Sequence, residues 1–467
     1  TLLLFFSGFS ALIYQVIWQR ILSQEIGIDS LAMAITVAVF MTGLGFGSIV
    51  GGIASKRLKK NIFFVYGIVE IIIGIFGFLS ESIIRNANQI ASTIFIPNPL
   101  SDFIINLILL FLPVFLMGFT TPLIIDLLKK NKDGIGRLIG IFYGINIFGA
   151  ALGSIITGLF LIEFLGLKKS IYFAATVNIF LGALSLLLRH LFEKEINKVD
   201  FSSLRLPIIP KRYLIAALIF GFSTLSLQMI LFRIIVYIYL PLPILFPIIL
   251  TVFLIFMAFG ELISGLICDK MDQKNIQNFG FILLFLIIVA FVISLKNPVN
   301  DMYSDNYFND FLESMKYICL LMIPVIFFSG FFPLLVKLIT VEIKDVGENF
   351  GFILGLSTIG NILGVFVTQF LLFEIVGTWG TLILIIIFVL IGCILLNDNA
   401  FQYFSSIKSL DDFKKEILLK PYTGFTMGIL IIFIFTLPYN FYHQSFGNTK
   451  PIRSIEGKSG VITVIPH

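Results

Sequence analysis

Long apolar runs separated by short polar connections dominate the chain. Most runs are apolar on every helical face and come close to the roughly 20 residues that one helical membrane crossing needs. A soluble helix would instead keep a polar face for water. We therefore predict thirteen membrane spans, at residues 2–23, 31–54, 61–80, 103–127, 138–162, 170–188, 213–236, 243–267, 277–295, 316–339, 350–373, 379–396 and 422–438.

The pattern of the first half returns in the second. Residues 8–20 recur at 221–233, a shift of 213 residues, with Gly, Phe, Ser, Gln and Arg in register. Because glycine is unfavourable inside helices unless two backbones approach closely, matched glycines indicate a shared packing scheme and hence a duplication. With a shift of 211 residues, Gly136, Gly140, Gly144, Gly149 and Gly153 match Gly347, Gly351, Gly355, Gly360 and Gly364.

The duplication sets the predicted fold class, an all-α polytopic membrane protein with two parallel six-helix repeats. A thirteenth helix follows, and then the start of a β-containing soluble domain, because the alternation at 461–464 is typical of a strand. The chain opens within an apolar run and stops just after this strand, so we expect the natural protein to extend beyond both ends. The predicted regions are the first membrane repeat 1–190, a cytoplasmic linker 191–212, the second repeat 213–397, an amphipathic surface helix 398–421, the thirteenth helix 422–438 and the soluble start 439–467.

Composition and charge agree with this class. The chain is 58% apolar and 13% charged, with a mean hydropathy of +1.03. The net charge of +5 comes from basic loops, so we predict a lipid bilayer, the bacterial inner membrane, as partner and no nucleic acid. The positive-inside rule puts the C-terminal tail outside and these loops in the cytoplasm: 55–60, 128–137, 189–212, 268–275, 340–349 and 398–421.

Polar side chains inside the spans are the candidate functional groups. An ionisable group at membrane depth costs about 2.5–3.5 kcal/mol, so the presence of Glu70 and Glu261 within spans indicates a functional or structural role. Gln15 and Gln228 occupy equivalent positions in the two copies, and Asn146 lies in the fifth span. All five are candidate substrate-binding residues, with structural hydrogen bonding between helices as the alternative. Because the three cysteines and the histidines form no cluster in the sequence, we predict no catalytic residue, metal or cofactor.

A charge inversion between the copies suggests a contact between the halves. Asp126 corresponds to Lys337, each four residues after a matched proline. We predict that they pair across the halves, with two unrelated charges at helix ends as the alternative.

The chain resembles the multi-spanning bacterial membrane proteins called spermidine-synthase-like, or fused transporter and spermidine synthase proteins. The resemblance rests on residues 7–20, 41–52, 117–123, 143–153 and 456–464. It implies an aminopropyltransferase-like soluble domain after residue 467, for decarboxylated S-adenosylmethionine and a polyamine. Any catalytic residues would lie in that domain, so enzymatic activity is left open.

A second resemblance is to major facilitator transporters, which are also built of two parallel six-helix halves. It rests on residues 265–270, where a glycine is followed four residues later by Asp269 and then Lys270. We favour the membrane domain of a spermidine-synthase-like protein, which anchors and feeds a soluble domain. The alternatives are a secondary transporter of a small solute such as a cation or polyamine, and a structural subunit of a membrane complex.

Overall fold

The computed structural model describes most of the chain. The described residues are 1–27, 29–55, 57–58, 61–94, 98–128, 134–192, 209–239, 245–296, 307–340, 345–406, 453–457 and 460–464.

The first half contains six long helices. They are α1 (Leu2–Ile26), α2 (Asp29–Ser55), α3 (Ile62–Ile94), α4 (Pro99–Leu128), α5 (Ile135–Ile156) and α6 (Ile162–Phe192). A π-helical turn, Thr157–Leu161, joins α5 to α6.

The second half repeats this order. Its helices are α7 (Lys211–Tyr239), α8 (Leu245–Cys268), α9 (Gln273–Lys296), α10 (Tyr307–Ser329), α11 (Phe331–Ile339), α12 (Val346–Val367), α13 (Phe373–Ile375) and α14 (Gly377–Leu396). A second π-helical turn, Thr368–Leu372, follows α12 at the position equivalent to the first.

The described helices account for twelve of the predicted crossings. Eleven stretches are long and apolar enough to span a membrane, and one of them, Ile135–Arg189, has 55 residues. A helix of that length would measure about 80 Å, far more than the roughly 30 Å apolar layer. Gly166 divides it with a left-handed backbone at φ 70°, and Gly377 has φ 68° at the equivalent place in the second half. The prediction of two parallel six-helix repeats is therefore confirmed.

Equivalent glycines make equivalent contacts in the two halves. A side chain on Gly8 of α1 would collide with the backbone carbonyl of Asn146 on α5, and one on Gly221 of α7 would collide with that of Ser357 on α12. In the same way Gly47 packs on α4 and Gly260 packs on α10. The matched glycines thus mark close helix packing within each half.

The two halves meet through reciprocal contacts. Helix α2 of the first half packs against α12 of the second half, and helix α8 of the second half packs against α5 of the first half. Glycine lies against glycine in both pairs: Gly52 against Gly347 and Gly351, and Gly265 against Gly136 and Gly140. This exchange of equivalent partners is the contact pattern of a two-fold axis between the halves. We call the end where α2 and α8 finish the basic end, after its basic loops.

The first half is centred on Trp18. Its side chain is fully buried, stacks on Tyr14 with ring centroids 5.1 Å apart and donates its indole N–H to Ser80 Oγ at 3.0 Å. The polar end of the indole is therefore satisfied while its rings fill the space between α1, α2 and α3.

The C-terminal part is described only in pieces. Helix α15 (Asp398–Ser406) lies at the basic end, where Arg212 forms an ion pair with Asp398. Strands β1 (Arg453–Gly457) and β2 (Gly460–Val464) form an antiparallel hairpin beside α7 and α13. The hairpin confirms the predicted strand, and no soluble domain is seen among the described residues. The thirteenth span, most of the linker and residues 407–421 lie outside the described ranges, so those assignments and the orientation stay predictions.

Candidate functional site

A cavity of about 60 Å³ lies where the second half meets α5 of the first half. Helices α7, α8, α10, α11 and α12 form most of its wall, and Tyr143 on α5 completes it. Since one water molecule needs roughly 10–15 Å³ on this measure, the space accommodates several waters or a small molecule.

Glu261 on α8 is the acidic residue of the described cavity wall. Its side chain is 1% exposed, and its Oε2 atom has no hydrogen-bond partner among the described residues. The backbone of Glu261 is held close to Gly140 of α5, which brings it to the boundary between the halves. A buried carboxylate oxygen without a donor is costly, so this atom requires a proton, a water or a ligand.

Asn361 on α12 supplies a second unsatisfied acceptor. Its Nδ2 donates to the sulfur of Met41 on α2 at 3.6 Å, whereas its buried Oδ1 has no partner in the described structure. The contact with Met41 crosses the boundary between the halves and leaves the oxygen available. Ser357, one helical turn earlier, also lines the cavity.

Aromatic rings cover much of the remaining wall. Tyr143 lies 5.2 Å from the ring of Phe332, and Phe220 stacks on Phe331 with centroids 4.2 Å apart. No lysine, arginine or histidine is found among the described residues that line the cavity. The described wall therefore combines acceptor oxygens and aromatic side chains without a basic group.

Glu70, the other buried acid, lies elsewhere. It is completely buried on α3 and accepts hydrogen bonds from Ser7 on α1 at 3.0 Å and from Asn178 on α6 at 2.5 Å. All three residues belong to the first half. Glu70 therefore joins α1, α3 and α6 within the first half, because α3 packs against α1, α4 and α6. A binding role for Glu70 stays a prediction.

The three amide candidates are not brought to the cavity wall. Asn146 donates to the carbonyl of Leu4 at 2.8 Å and so links α5 to α1. Gln15 and Gln228 are 5% and 7% exposed in the equivalent helices α1 and α7. The bond made by Asn146 is of the structural kind, and substrate contacts by these residues stay predictions.

The charged residues at the basic end hold the halves together. Asp269 accepts hydrogen bonds from the N–H groups of Gly136 at 2.8 Å and Arg137 at 2.6 Å, at the start of α5, where a negative charge also complements the helix dipole. Lys337 forms an ion pair with Asp269 at 3.2 Å. Asp126 lies beside Gly347 at the start of α12, and its pairing with Lys337 stays a prediction.

No cluster of three or more His, Cys, Asp or Glu side chains occurs in the described part of the chain. The three cysteines are free, and two of them, Cys268 and Cys393, are buried.

Sequence reasoning missed Asn361, Ser357 and Tyr143 as cavity residues. Asn361 carried a usable signal, because an asparagine within an apolar span is rare enough to require a partner. Its equivalent in the first copy is Ala150, so comparison of the two copies would also have marked it as distinctive. Tyr143 carried no such signal, since a tyrosine in an apolar helix is ordinary core.

Comparison with solved structures identifies proteins of the same fold. The human organic anion transporter MFSD10 (TETRAN) aligns with a TM-score of 0.53 and 12% identity, covering 85% of this chain and 97% of that one. A bacterial homologue of the iron transporter ferroportin, in an outward-facing state, aligns with a TM-score of 0.55 and 12% identity, covering 87% and 98%. At this identity the likeness establishes the fold only. No curated protein sequence matches the chain.

The sequence itself decides the family. The family model of the Major Facilitator Superfamily matches residues 1–299. None of the comparisons supports the resemblance to spermidine-synthase-like proteins, nor a polyamine as ligand. Since the match extends over more than half of the 467 residues and the fold is two parallel six-helix halves, the chain belongs to the Major Facilitator Superfamily.

Proposed function

We propose that this protein is a secondary transporter of a small solute and that the cavity around Glu261 is its substrate site. The observation that carries the proposal is the buried Oε2 atom of Glu261, which faces no donor in the described structure although it lies at the boundary between two half-molecules. A purely structural acid would be satisfied by its neighbours, as Glu70 is.

The packing of the halves is suited to movement around this site. Their closest backbone contacts at the basic end are glycine against glycine in both helix pairs. Such surfaces can separate as rigid bodies with little change inside either half. Rocking about the cavity would open it to one face of the membrane and then to the other. The hydrogen bonds from the start of α5 to Asp269 would break when the basic end opens, whereas the ion pair of Asp269 with Lys337 lies within the second half and would stay.

The test measures access to the cavity from both faces and requires no known substrate. Cys268, Cys319 and Cys393 are replaced by alanine, and Ser357→Cys places one thiol in the cavity wall. A membrane-impermeant methanethiosulfonate reagent is then added to right-side-out and to inside-out membrane vesicles. Alternating access predicts modification in both vesicle types.

A matched control separates access to the cavity from general leakiness. Ser185→Cys introduces the same change at a fully buried serine of α6 whose hydroxyl bonds to Phe63, so it should react in neither vesicle type. Modification of Ser357→Cys from one face only, or from neither, would refute transport by alternating access and favour an anchoring or structural role.

A further inference from the structure

The cavity wall has an imbalance between hydrogen-bond acceptors and donors. Glu261 Oε2 and Asn361 Oδ1 are both buried acceptors without partners in the described part of the chain. The hydroxyls of Thr224 and Ser329, which also line the cavity, donate to carbonyls of their own helices. The protein thus offers two buried acceptor oxygens, and two of the hydroxyls in the wall already donate to backbone carbonyls.

A proton or a water satisfies one of these oxygens, whereas a single ligand that satisfies both must bring its own N–H or O–H groups. With a neutral solute Glu261 would have to be protonated, because an ionised carboxylate without a counter-charge is expensive in an apolar environment. An anion would add a second negative charge beside it, and no basic residue is present in the described wall to compensate. A cationic donor satisfies both the charge and the hydrogen-bonding requirement.

The aromatic lining favours the same class of ligand. The rings of Tyr143, Phe220, Phe331 and Phe332 are part of the wall, and aromatic faces attract cations through the negative potential of the ring. A space of about 60 Å³ suits a compact cation rather than a long chain.

We propose that this cavity binds a compact organic cation with a primary ammonium group. One ammonium N–H donates to Glu261 Oε2, a second donates to Asn361 Oδ1, and the third reaches the hydroxyl of Ser357. The carbon part of the ligand packs on the aromatic rings. This inference rests on the proposed transporter function for its biological meaning, but it concerns the chemistry of the cavity alone.

Ligand-dependent thermal unfolding of the purified full chain tests the proposal. The probes, as salts at equal ionic strength, are ethylammonium, tetramethylammonium and propionate, with ethanol as a neutral probe. Ethylammonium should raise the unfolding temperature in a saturable manner. Tetramethylammonium has no N–H group, so it should bind about tenfold or more weakly, and propionate and ethanol should have no saturable effect.

Variants assign the binding to the two acceptors. Glu261→Gln keeps the shape of the side chain but removes its charge, and should weaken ethylammonium binding by about tenfold to a hundredfold. Asn361→Leu should weaken it by about threefold to tenfold. Glu81→Gln removes an acid on α3 that pairs with Arg85 outside the cavity and should leave binding unchanged. If a cavity variant fails to fold, the probe series on the unmodified protein decides alone.

The outcomes separate this inference from the transporter proposal. If ethylammonium gives no stabilisation, or if Glu261→Gln binds it as well as the unmodified protein does, the ammonium site is refuted. The transporter proposal would still hold if the Ser357→Cys variant reacts from both faces although the ammonium site is refuted. If ethylammonium binds as expected but the cysteine at position 357 reacts from one face only, the ammonium site is supported and the transporter proposal is refuted.

Discussion

Replacing Gly351 by alanine should wedge the two halves apart at the basic end. A Cβ atom on Gly351 of α12 would lie 2.8 Å from the Cα of Gly52 on α2 and would also collide with the carbonyl of Ser48. Carbon atoms in contact prefer about 3.5–4.0 Å, so α2 and α12 must separate by about 1 Å. Forced insertion of one methyl group into a packed contact costs about 1–3 kcal/mol.

This cost applies only while the basic end is closed. The substitution therefore shifts the equilibrium towards the basic-end-open form by about 5-fold to 150-fold. In the Ser357→Cys background, the rate of thiol modification from the basic side should rise by a similar factor, up to the rate of the fully open form. The vesicle assay described for the cavity measures this rate directly.

A control variant excludes a general effect of added methyl groups. A Cβ on Gly280 of α9 would have its nearest neighbour, Phe331, at an ordinary 3.6 Å, so Gly280→Ala should leave the rate unchanged. An unaltered modification rate in Gly351→Ala, in protein that is folded by thermal unfolding, would show that the α2–α12 contact does not close a path to the cavity.

Three further predictions concern stability. Glu70→Leu should lower the unfolding temperature, because the amide of Asn178 loses its acceptor at a cost of about 1–2 kcal/mol. Glu70→Gln keeps an acceptor oxygen and should lower the unfolding temperature less. Equal decreases in the two variants would contradict the hydrogen-bonding role. Partial burial raises the pKa of Asp398, but the hydrogen bonds from Gln277 and Arg212 and the charge of that arginine outweigh it and hold the pKa below its usual value. A lowered folded-state pKa means that this contact stabilises the docked α15 above about pH 4 and is lost below it; a spin label on α15 should gain mobility on acidification, and no change would refute the docking. Gly166→Ala should lower the free energy of unfolding by about 1–3 kcal/mol through backbone strain alone, since φ is 70° and no atom lies within 4 Å of the added Cβ. Gly134→Ala is the control, because its Cβ has equal space but φ is −109°. It should change the free energy of unfolding little in the same assay.

The membrane fold could be predicted because its signals are local and repeated. Apolar length locates each crossing, and the glycine spacing locates the helix contacts, as the collisions at Gly8 and Gly221 show. The candidate site was only partly predictable. Glu70 and Glu261 look alike in sequence, since each is one acid in an apolar helix. Their difference depends on neighbours far along the chain: donors from α1 and α6 bond to Glu70, whereas Glu261 Oε2 has no donor among the described residues.

The resemblance to spermidine-synthase-like proteins has a physical explanation. Several residues that carried it are packing positions of the membrane scaffold: Gly118 lies against Leu44, Gly149 against Phe5 and Gly153 against Phe9. Such residues report how helices approach one another, not what the protein binds or what is attached to it. They are therefore as compatible with a transporter as with an anchor.

The reciprocal glycine contacts between the halves also indicate how an ancestral six-helix chain would have associated with a second copy of itself. Before the duplication, one six-helix chain would have met a second copy of itself through the same contact made twice, as a symmetric homodimer. Such a homodimer must carry every polar group in pairs, so an acid at this place would appear on both sides of the axis. Fusion removed that constraint: Glu261 now corresponds to Ser48 in the other copy, whose hydroxyl bonds to its own helix. Joining the copies in one chain thus allows a single charged site in a scaffold built from two equivalent halves.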